Sequence, residues 1–312
     1  MPPESEVIHI LSVDVEDYFQ TEAFSSTVPR SDWEQYPCRV AENTLRLLDW
    51  FDEARVHATF FVLGWVADRY PWLVREISSR GHELACHSFW HRRVYSLTPS
   101  VFREDTRSAV RAIEDASGVK VAGYRAPTWS ITRASLWALR ILAEEGFQYD
   151  SSIFPIHHDL YGIPEAMARP YLWKSSEHQI MEYPPATLSI GRFKIPAAGG
   201  GYLRIFPLSY TRLAMHRLAR RGERAVLYLH PWEIDPRQPR LPGRWRSRFR
   251  QYCGLDTMRW KLQALLSEYK FTSFELHRKL RPDRPWLAGS HGTGYQVSLP
   301  DPLEVSSQVG VN

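Results

Sequence analysis

The chain has 312 residues, 44% of them hydrophobic, which is enough to bury a full core in one large domain or two ordinary ones. Thirty-nine Lys and Arg against 35 Asp and Glu leave a net charge of +4, too balanced a basic excess to indicate nucleic-acid binding. Cys38, Cys86 and Cys253 are widely spaced with no C-x-x-C, which points to neither a disulfide framework nor a cysteine zinc site and suits a reducing compartment. With no basic segment before the first apolar stretch and no apolar run of about 18 residues, the expectation is a soluble cytoplasmic protein.

Short apolar runs alternate with amphipathic stretches, the pattern of strand-helix units. The first run, residues 7–13, stops at the acidic cluster Asp14-Val-Glu-Asp17. Helical spacing follows over 41–54, with Leu45, Leu48 and Phe51 on one face, and then a strand over 58–63 closed by Gly64. The next helix, 65–79, must bend or restart at Pro71, and Gly81 is placed to end it. Residues 82–86 form a short strand leading into His87. Thr98 and Pro99 suit the N-cap and first residue of a helix that ends at Gly118, with a strand over 119–124 behind it. Thr132 can cap a helix carrying Leu136, Leu139 and Leu142 up to Gly146, followed by a strand over 147–150.

Beyond Ser152 the rhythm loosens. A strand over 179–183 is followed by the run Ala197-Ala-Gly-Gly-Gly-Tyr202, read as a loop or insertion near a site. A helix over 208–220, a strand over 225–229, a helix over 256–269 and a strand over 271–274 resume the alternation. From Pro285 onward Gly, Ser and Pro dominate without periodicity, so residues 285–312 are expected to be a disordered tail. With no repeat and no clear linker, residues 1–284 are expected to form one α/β domain with an irregular barrel-like sheet.

Five constellations can carry chemistry. Asp14, Glu16 and Asp17 sit where a strand ends, the place where α/β folds gather catalytic side chains, though a solvated acidic loop or helix cap would look the same. His87 and His91 are four apart, a spacing that puts both imidazoles on one helical face and suits a divalent metal; a chance pair on a surface turn is the plain alternative. Cys86 points to the other face and belongs to the core. Arg125, in Tyr124-Arg-Ala-Pro127, can grip a catalytic carboxylate or be an ordinary surface arginine. Asp150, followed by two serines, can cap a helix or orient a histidine. His230, in Leu227-Tyr-Leu-His-Pro-Trp-Glu233, is a satisfied core histidine or a general acid. All five fall at the same end of successive predicted strands, a coincidence that independent plain roles would seldom produce.

At these residues the chain resembles the NodB-homology polysaccharide deacetylases, carbohydrate esterase family 4, over residues 8–274. The similarity runs through an acidic strand end, Thr59-Phe-Phe-Val-Leu-Gly64, His-Ser-x-x-His at 87–91, Arg-x-Pro, Asp-Ser and Leu-His-Pro in the family's order. The forms Asp-Val-Glu-Asp-Tyr-Phe19 and His-Pro-Trp-Glu233 are most similar to the subgroup found with bacterial exopolysaccharide and exosortase systems. The resemblance implies a distorted (β/α) barrel with its active site at the carboxyl ends of the strands. It further implies Asp14 as general base, steadied by Arg125, and His230 as general acid, oriented by Asp150. His87 and His91 become ligands of a divalent metal, zinc being the first choice. Many members carry two adjacent aspartates at the first motif, whereas Val15 stands second here; the third ligand is therefore Glu16, with Asp17 as the alternate.

The same resemblance makes Thr128 a backbone donor to the substrate. Phe154 occupies a region where a tryptophan often lines the pocket, and Trp129 or Trp232 can compensate. The implied activity is removal of N-acetyl groups from amino sugars of an exopolysaccharide or its lipid-linked oligosaccharide precursor. A deformylase or cyclic-amide hydrolase on the same scaffold, or a catalytically silent glycan-binding protein, are the other readings. Arginines are dense from Arg212 to Arg250, as a solvated basic face or as a peripheral contact with an anionic membrane surface.

Overall fold

The computed structural model describes residues 7–280, apart from Ser176, Arg192 and Ala198, so the expected tail at 285–312 lies outside the described residues. Strand β1 (Ile8–Val15) leads through short 3-10 turns to α1 (Val40–Ala54). Then come β2 (Thr59–Val62), α2 (Gly64–Arg69), α3 (Pro71–Ser79), β3 (Glu83–Cys86), α4 (Pro99–Ser117), β4 (Gly123–Tyr124), α5 (Trp137–Glu144) and β5 (Tyr149–Asp150). A second part carries β6 (Tyr171–Ser175), β7 (His178–Glu182), the hairpin β8 (Thr187–Ile190) and β9 (Phe193–Pro196), α6 (Gly200–Ile205) and α7 (Leu208–Arg220). It ends with β10 (Val226–Leu229), α8 (Trp245–Tyr252), α9 (Leu255–Glu268), β11 (Lys270–Thr272) and α10 (Phe274–Lys279).

Local chemistry explains the boundaries. Helix α4 starts where the Thr98 hydroxyl accepts the Val101 N–H at 3.3 Å and stops at Gly118, whose φ of 72° is open to glycine. Pro71 splits the expected single helix into α2 and α3 and opens α3 at its first position. The strand expected over 119–124 shrinks to two residues because side chains take its amides: Ser117 Oγ accepts the Val119 N–H at 3.1 Å and Glu114 Oε1 accepts that of Val121 at 3.1 Å. The expected strand over 271–274 ends early because Ser273 caps α10, accepting the Leu276 N–H at 3.2 Å. The glycine run begins α6 rather than a loop. Gly199, at φ 91°, lies against β10 so closely that a Cβ would stand 2.1 Å from the Tyr228 carbonyl oxygen.

The strands run in the order β10-β1-β2-β3-β4-β5-β7-β6, parallel throughout except that β6 pairs antiparallel with β7. Two strands share the outer edge of β1, with β11 along Ile8–Ile10 and β10 along Ile10–Val13. The chain just beyond β7 reaches back to β10 through a bond outside any strand pair, from the Ala186 N–H to the Val226 carbonyl at 3.1 Å. The result is an interrupted (β/α) barrel.

Strand alternation sorts the side chains. Ile10, Phe61, Ala85, Tyr149, Tyr183, Val226 and Phe274 pack inside the barrel, while Leu11, Val13, Phe60, Val62, Leu84, Cys86, Tyr124, Leu227 and Leu229 pack against the helices. Gly123 faces inward where the Tyr149 ring crosses, and a Cβ there would lie 2.0 Å from it. No described helix is long and apolar enough to cross a membrane.

Asp150 and Glu182 face each other across β5 and β7, both fully buried. Burial pushes the Asp150 carboxyl up to about 6, and burial together with Asp150 pushes Glu182 well above the usual range, so the pair retains a proton. Both values exceed those of the unfolded chain. The stabilisation is therefore complete below about pH 4 and is lost as pH rises through the raised values, at roughly 1.4 kcal/mol per pH unit for one proton. Thermal unfolding of the wild type should decline in midpoint from pH 6 to pH 9, and Glu182→Gln should flatten that decline; parallel profiles would refute the shared proton.

Candidate active site

At the carboxyl ends of β1, β3, β4 and β10, four inward-pointing positions converge: Asp14, His87, Arg125 and His230. Arg125 is fully buried and donates from Nη1 to Asp14 Oδ1 at 2.6 Å and to Ser12 Oγ at 2.8 Å. Its other face donates to the Ser151 carbonyl at 3.1 Å and to Ser151 Oγ at 3.0 Å. The guanidinium lies 4.1 Å from the Phe61 ring centroid and 4.9 Å from that of Trp129. Asp14 thus faces a fixed positive charge, while its Oδ2 stands 3.8 Å from His230 Nε2.

Glu16, His87 and His91, all buried, bring one ligand atom each to within 4.8 Å of one another. The Arg125 carbonyl accepts from His87 Nδ1 at 2.8 Å; a carbonyl cannot donate, so Nδ1 carries the hydrogen and Nε2 keeps its lone pair. Burial lowers His87 to about 4, which keeps the imidazole neutral. His91 Nε2 lies 2.7 Å from Glu16 Oε2, yet that oxygen has no aligned hydrogen-bond donor, as befits two ligand atoms converging on a shared point. Trp232 Nε1 donates to Glu16 Oε1 at 3.1 Å. Burial raises the Glu16 carboxyl, but the His91 and His230 charges outweigh it and bring it to about 2, so it stays ionised. Two imidazoles and one carboxylate fit a divalent cation with positions left open for water and substrate.

The histidine pair is not on a helix, contrary to the i, i+4 argument. Residues 87–93 form a loop in which Ser88 and His91 adopt left-handed φ of 66° and 49°. Helix α4 pins this loop through Asp105, which accepts the Phe89 N–H and Arg92 Nη2, each at 2.7 Å; Arg30 holds the Trp90 and His91 carbonyls. Asp17 is turned away: its carboxylate accepts the N–H groups of Tyr18, Arg39 and Val40 at 2.8, 2.6 and 2.9 Å, tying the turn after β1 to the start of α1.

Asp150 does not orient His230. It lies next to inward-pointing Tyr149, so alternation puts it outside the barrel, where it accepts from Ser152 Oγ at 2.6 Å. The carboxylate on His230 is Glu233, whose Oε2 is 3.1 Å from Nδ1 and whose Oε1 accepts from Arg204 Nε at 2.7 Å. Burial lowers His230, but the charges of Glu233 and Glu16 overcome it and raise the imidazole to about 9. Glu233 and Arg204 were not singled out from sequence. The signal was there: in His-Pro-x-Glu the proline opens a 3-10 turn and the glutamate reaches back to the His230 N–H as a capping box.

The site opens into a pocket of ≈ 860 Å³ lined by Trp129, Trp232, Tyr161, Tyr202 and Thr128 among others. Thr128 and Trp129 both hold left-handed φ, 56° and 52°, a strained turn of the kind that clusters at functional sites. Phe154 lies behind Trp129, fully buried, at 5.4 Å between ring centroids. Trp232 stacks on His230 at 5.2 Å.

Residues 33–148 match the polysaccharide deacetylase family, and residues 151–277 match a domain of unknown function, DUF3473. Residues 33–148 thus carry a polysaccharide deacetylase domain of the NodB-homology type. Over 114 residues it is 28% identical to the peptidoglycan deacetylase of Helicobacter pylori, and over 107 residues 31% identical to YheN of Bacillus subtilis, described as a polysaccharide deacetylase. Those stretches span 36% and 34% of this chain but only 37% and 38% of the two relatives. A solved structure from Mycobacterium smegmatis, assigned to the polysaccharide deacetylases, shares the fold with a TM-score of 0.61 at 21% identity, covering 90% of this chain and 91% of that one. Strands from both matched segments join the main sheet. The DUF3473 segment supplies β10, His230, Trp232 and Glu233, directly opposite Asp14 on β1.

Metal titration separates the two carboxylates of the first motif. Glu16→Gln and His87→Ala should each weaken zinc or cobalt binding at least about ten-fold, in line with what loss of even an outer partner does to metal sites. Asp17→Asn should leave metal affinity unchanged and lower the unfolding midpoint, because it weakens three buried backbone contacts. The reverse pattern would make Asp17 the ligand.

Proposed function

We propose that the chain is a metal-dependent hydrolase that removes N-acetyl groups from amino sugars of a bacterial exopolysaccharide or its lipid-linked precursor, working at the cytoplasmic face of the membrane. The observation that carries this reading is the meeting of two supported proton carriers, Asp14 on Arg125 and His230 on Glu233, beside the Glu16, His87 and His91 group. A divalent ion held by those three residues, zinc being the best fit to two imidazoles and a carboxylate, would polarise an amide carbonyl and acidify a water at the site. Free thiols at Cys38, Cys86 and Cys253 suit the reducing side of a membrane.

The chain's own residues divide the proton work. Asp14 is aimed by its bond from Arg125, so it accepts the proton of the attacking water. His230, with its pKa raised to about 9, enters the reaction charged and donates to the departing amine. Glu233 keeps the Nδ1 proton in place, which directs Nε2 at the leaving group. The Thr128 N–H, on its strained turn beside Arg125, is the proposed donor to the tetrahedral oxyanion. Trp129 and Trp232 offer ring faces to a sugar. A silent glycan binder would need neither the base nor the acid, and both are built with partners here.

Metal-loaded protein should release acetate from an N-acetylated oligosaccharide. Asp14→Asn and His230→Ala should each lower kcat by about 10²–10⁴ with the metal content unchanged. A metal-loaded wild type that releases no acetate from any amino-sugar polymer or lipid-linked precursor would remove the proposal.

A further inference from the structure

The mouth of the pocket is bordered by a helix unlike the rest of the surface. From Pro242 to Tyr252 the chain carries Arg244, Arg246, Arg248 and Arg250 with Trp245 and Phe249 between them and no carboxylate at all. Trp245 is 72% exposed and Phe249 52%; four residues apart on α8, they stand on one face of it. All four arginines are exposed, and among the described residues none pairs with a carboxylate. Ile205, 42% exposed on the pocket rim, adds to the apolar surface.

The helix is nevertheless firmly held from behind. Gln251 is buried and donates to the Tyr18 carbonyl at 3.3 Å and to Gln238 Oε1 at 3.1 Å. The Tyr252 hydroxyl accepts the Leu241 N–H at 2.7 Å, and Arg204 donates to the carbonyls of Arg250, Gln251 and Cys253. A rigidly seated helix that keeps two large aromatic rings in water, amid guanidinium groups that meet no carboxylate among the described residues, has the chemistry of an element made for the interface of an anionic bilayer: rings enter the headgroup layer while cations meet lipid phosphates. A soluble polyanion would account for the arginines but not for the exposed rings.

We propose that α8 docks the protein on an anionic lipid surface through Trp245, Phe249 and its four arginines, and so turns the pocket mouth toward substrates carried at that surface. Docking itself stands apart from the hydrolytic reading; only the last clause rests on it. Arg244, Ser247 and Arg250 line the pocket, whereas Trp245, Arg246, Arg248 and Phe249 do not, which allows docking to be tested without entering the site.

The full chain should co-sediment with vesicles of equal phosphatidylglycerol and phosphatidylcholine and not with phosphatidylcholine alone, and the binding should fall with salt. Arg246→Gln with Arg248→Gln should weaken it about 25-fold, at about five-fold per arginine. Trp245→Ala with Phe249→Ala should weaken it at least ten-fold while leaving acetate release from a water-soluble oligosaccharide unchanged. Equal binding to both vesicle types, or aromatic variants that bind like wild type, would overturn the proposal; loss in the arginine pair alone would mark a plain polyanion site instead. Vesicle binding without acetate release would keep the docking and defeat the hydrolase reading, and the opposite result would do the reverse.

Discussion

The buried pair of Arg125 and Asp14 is the constraint around which the site is built. A guanidinium with no exposure persists only when its charge and donors are met, and here a carboxylate, two hydroxyls and a carbonyl from β1 and the end of β5 meet them. Removing one partner would leave an uncompensated interior charge, a loss of roughly 3–5 kcal/mol. The same residue reaches the metal group, because its carbonyl sets the His87 tautomer. One side chain and its own backbone therefore fix the orientation of the Asp14 carboxylate, the lone pair of His87 and the spacing of three strands.

Around that pair, the alternation of parallel strands does the sorting. Asp14, His87, Arg125 and His230 share the inward parity of Ile10, Ala85, Gly123 and Val226, two or four residues before them. Asp150 and Glu182 have the opposite parity and are sealed behind the barrel with a shared proton. What they support is the wall of the site and not its chemistry. The orientation of His230 falls instead to Glu233, three residues along the same chain, clamped by Arg204 from α6. Because Arg204 also holds the end of α8, the Glu233–His230 pair and the surface helix hang on one guanidinium.

Much of this was legible in the sequence where local signals are strong. Thr98, Pro99 and Gly118 mark both ends of α4, and Pro71 divides α2 from α3. The inward positions at strand ends followed from apolar runs that stop abruptly at polar residues. What could not be read depended on contacts distant in sequence or on unusual backbone. The two site histidines meet through a loop with left-handed residues, which a helical spacing argument reaches by accident. Asp17 and Glu16 are one residue apart, and only the turn after β1 decides which faces the histidines and which faces α1. The second half of the chain resisted for another reason: β6 and β7 form an antiparallel hairpin added to a parallel sheet, so the strand-helix rhythm gave no warning of it. The match of that half to a domain of unknown function gains physical content here, since its β10 joins the barrel wall and brings His230 to the site.

On the proposed reading, Glu16, His87 and His91 hold one cation while Asp14 stays on Arg125, free to act as base. Anomalous diffraction from crystals loaded with zinc or cobalt tests it most directly. One strong peak is expected about 2.0–2.2 Å from His87 Nε2, His91 and a Glu16 oxygen, with the Asp14 carboxylate still bonded to Arg125. A peak coordinated by Asp14 or Asp17 in place of Glu16, or one lying outside the histidine pair, would contradict it.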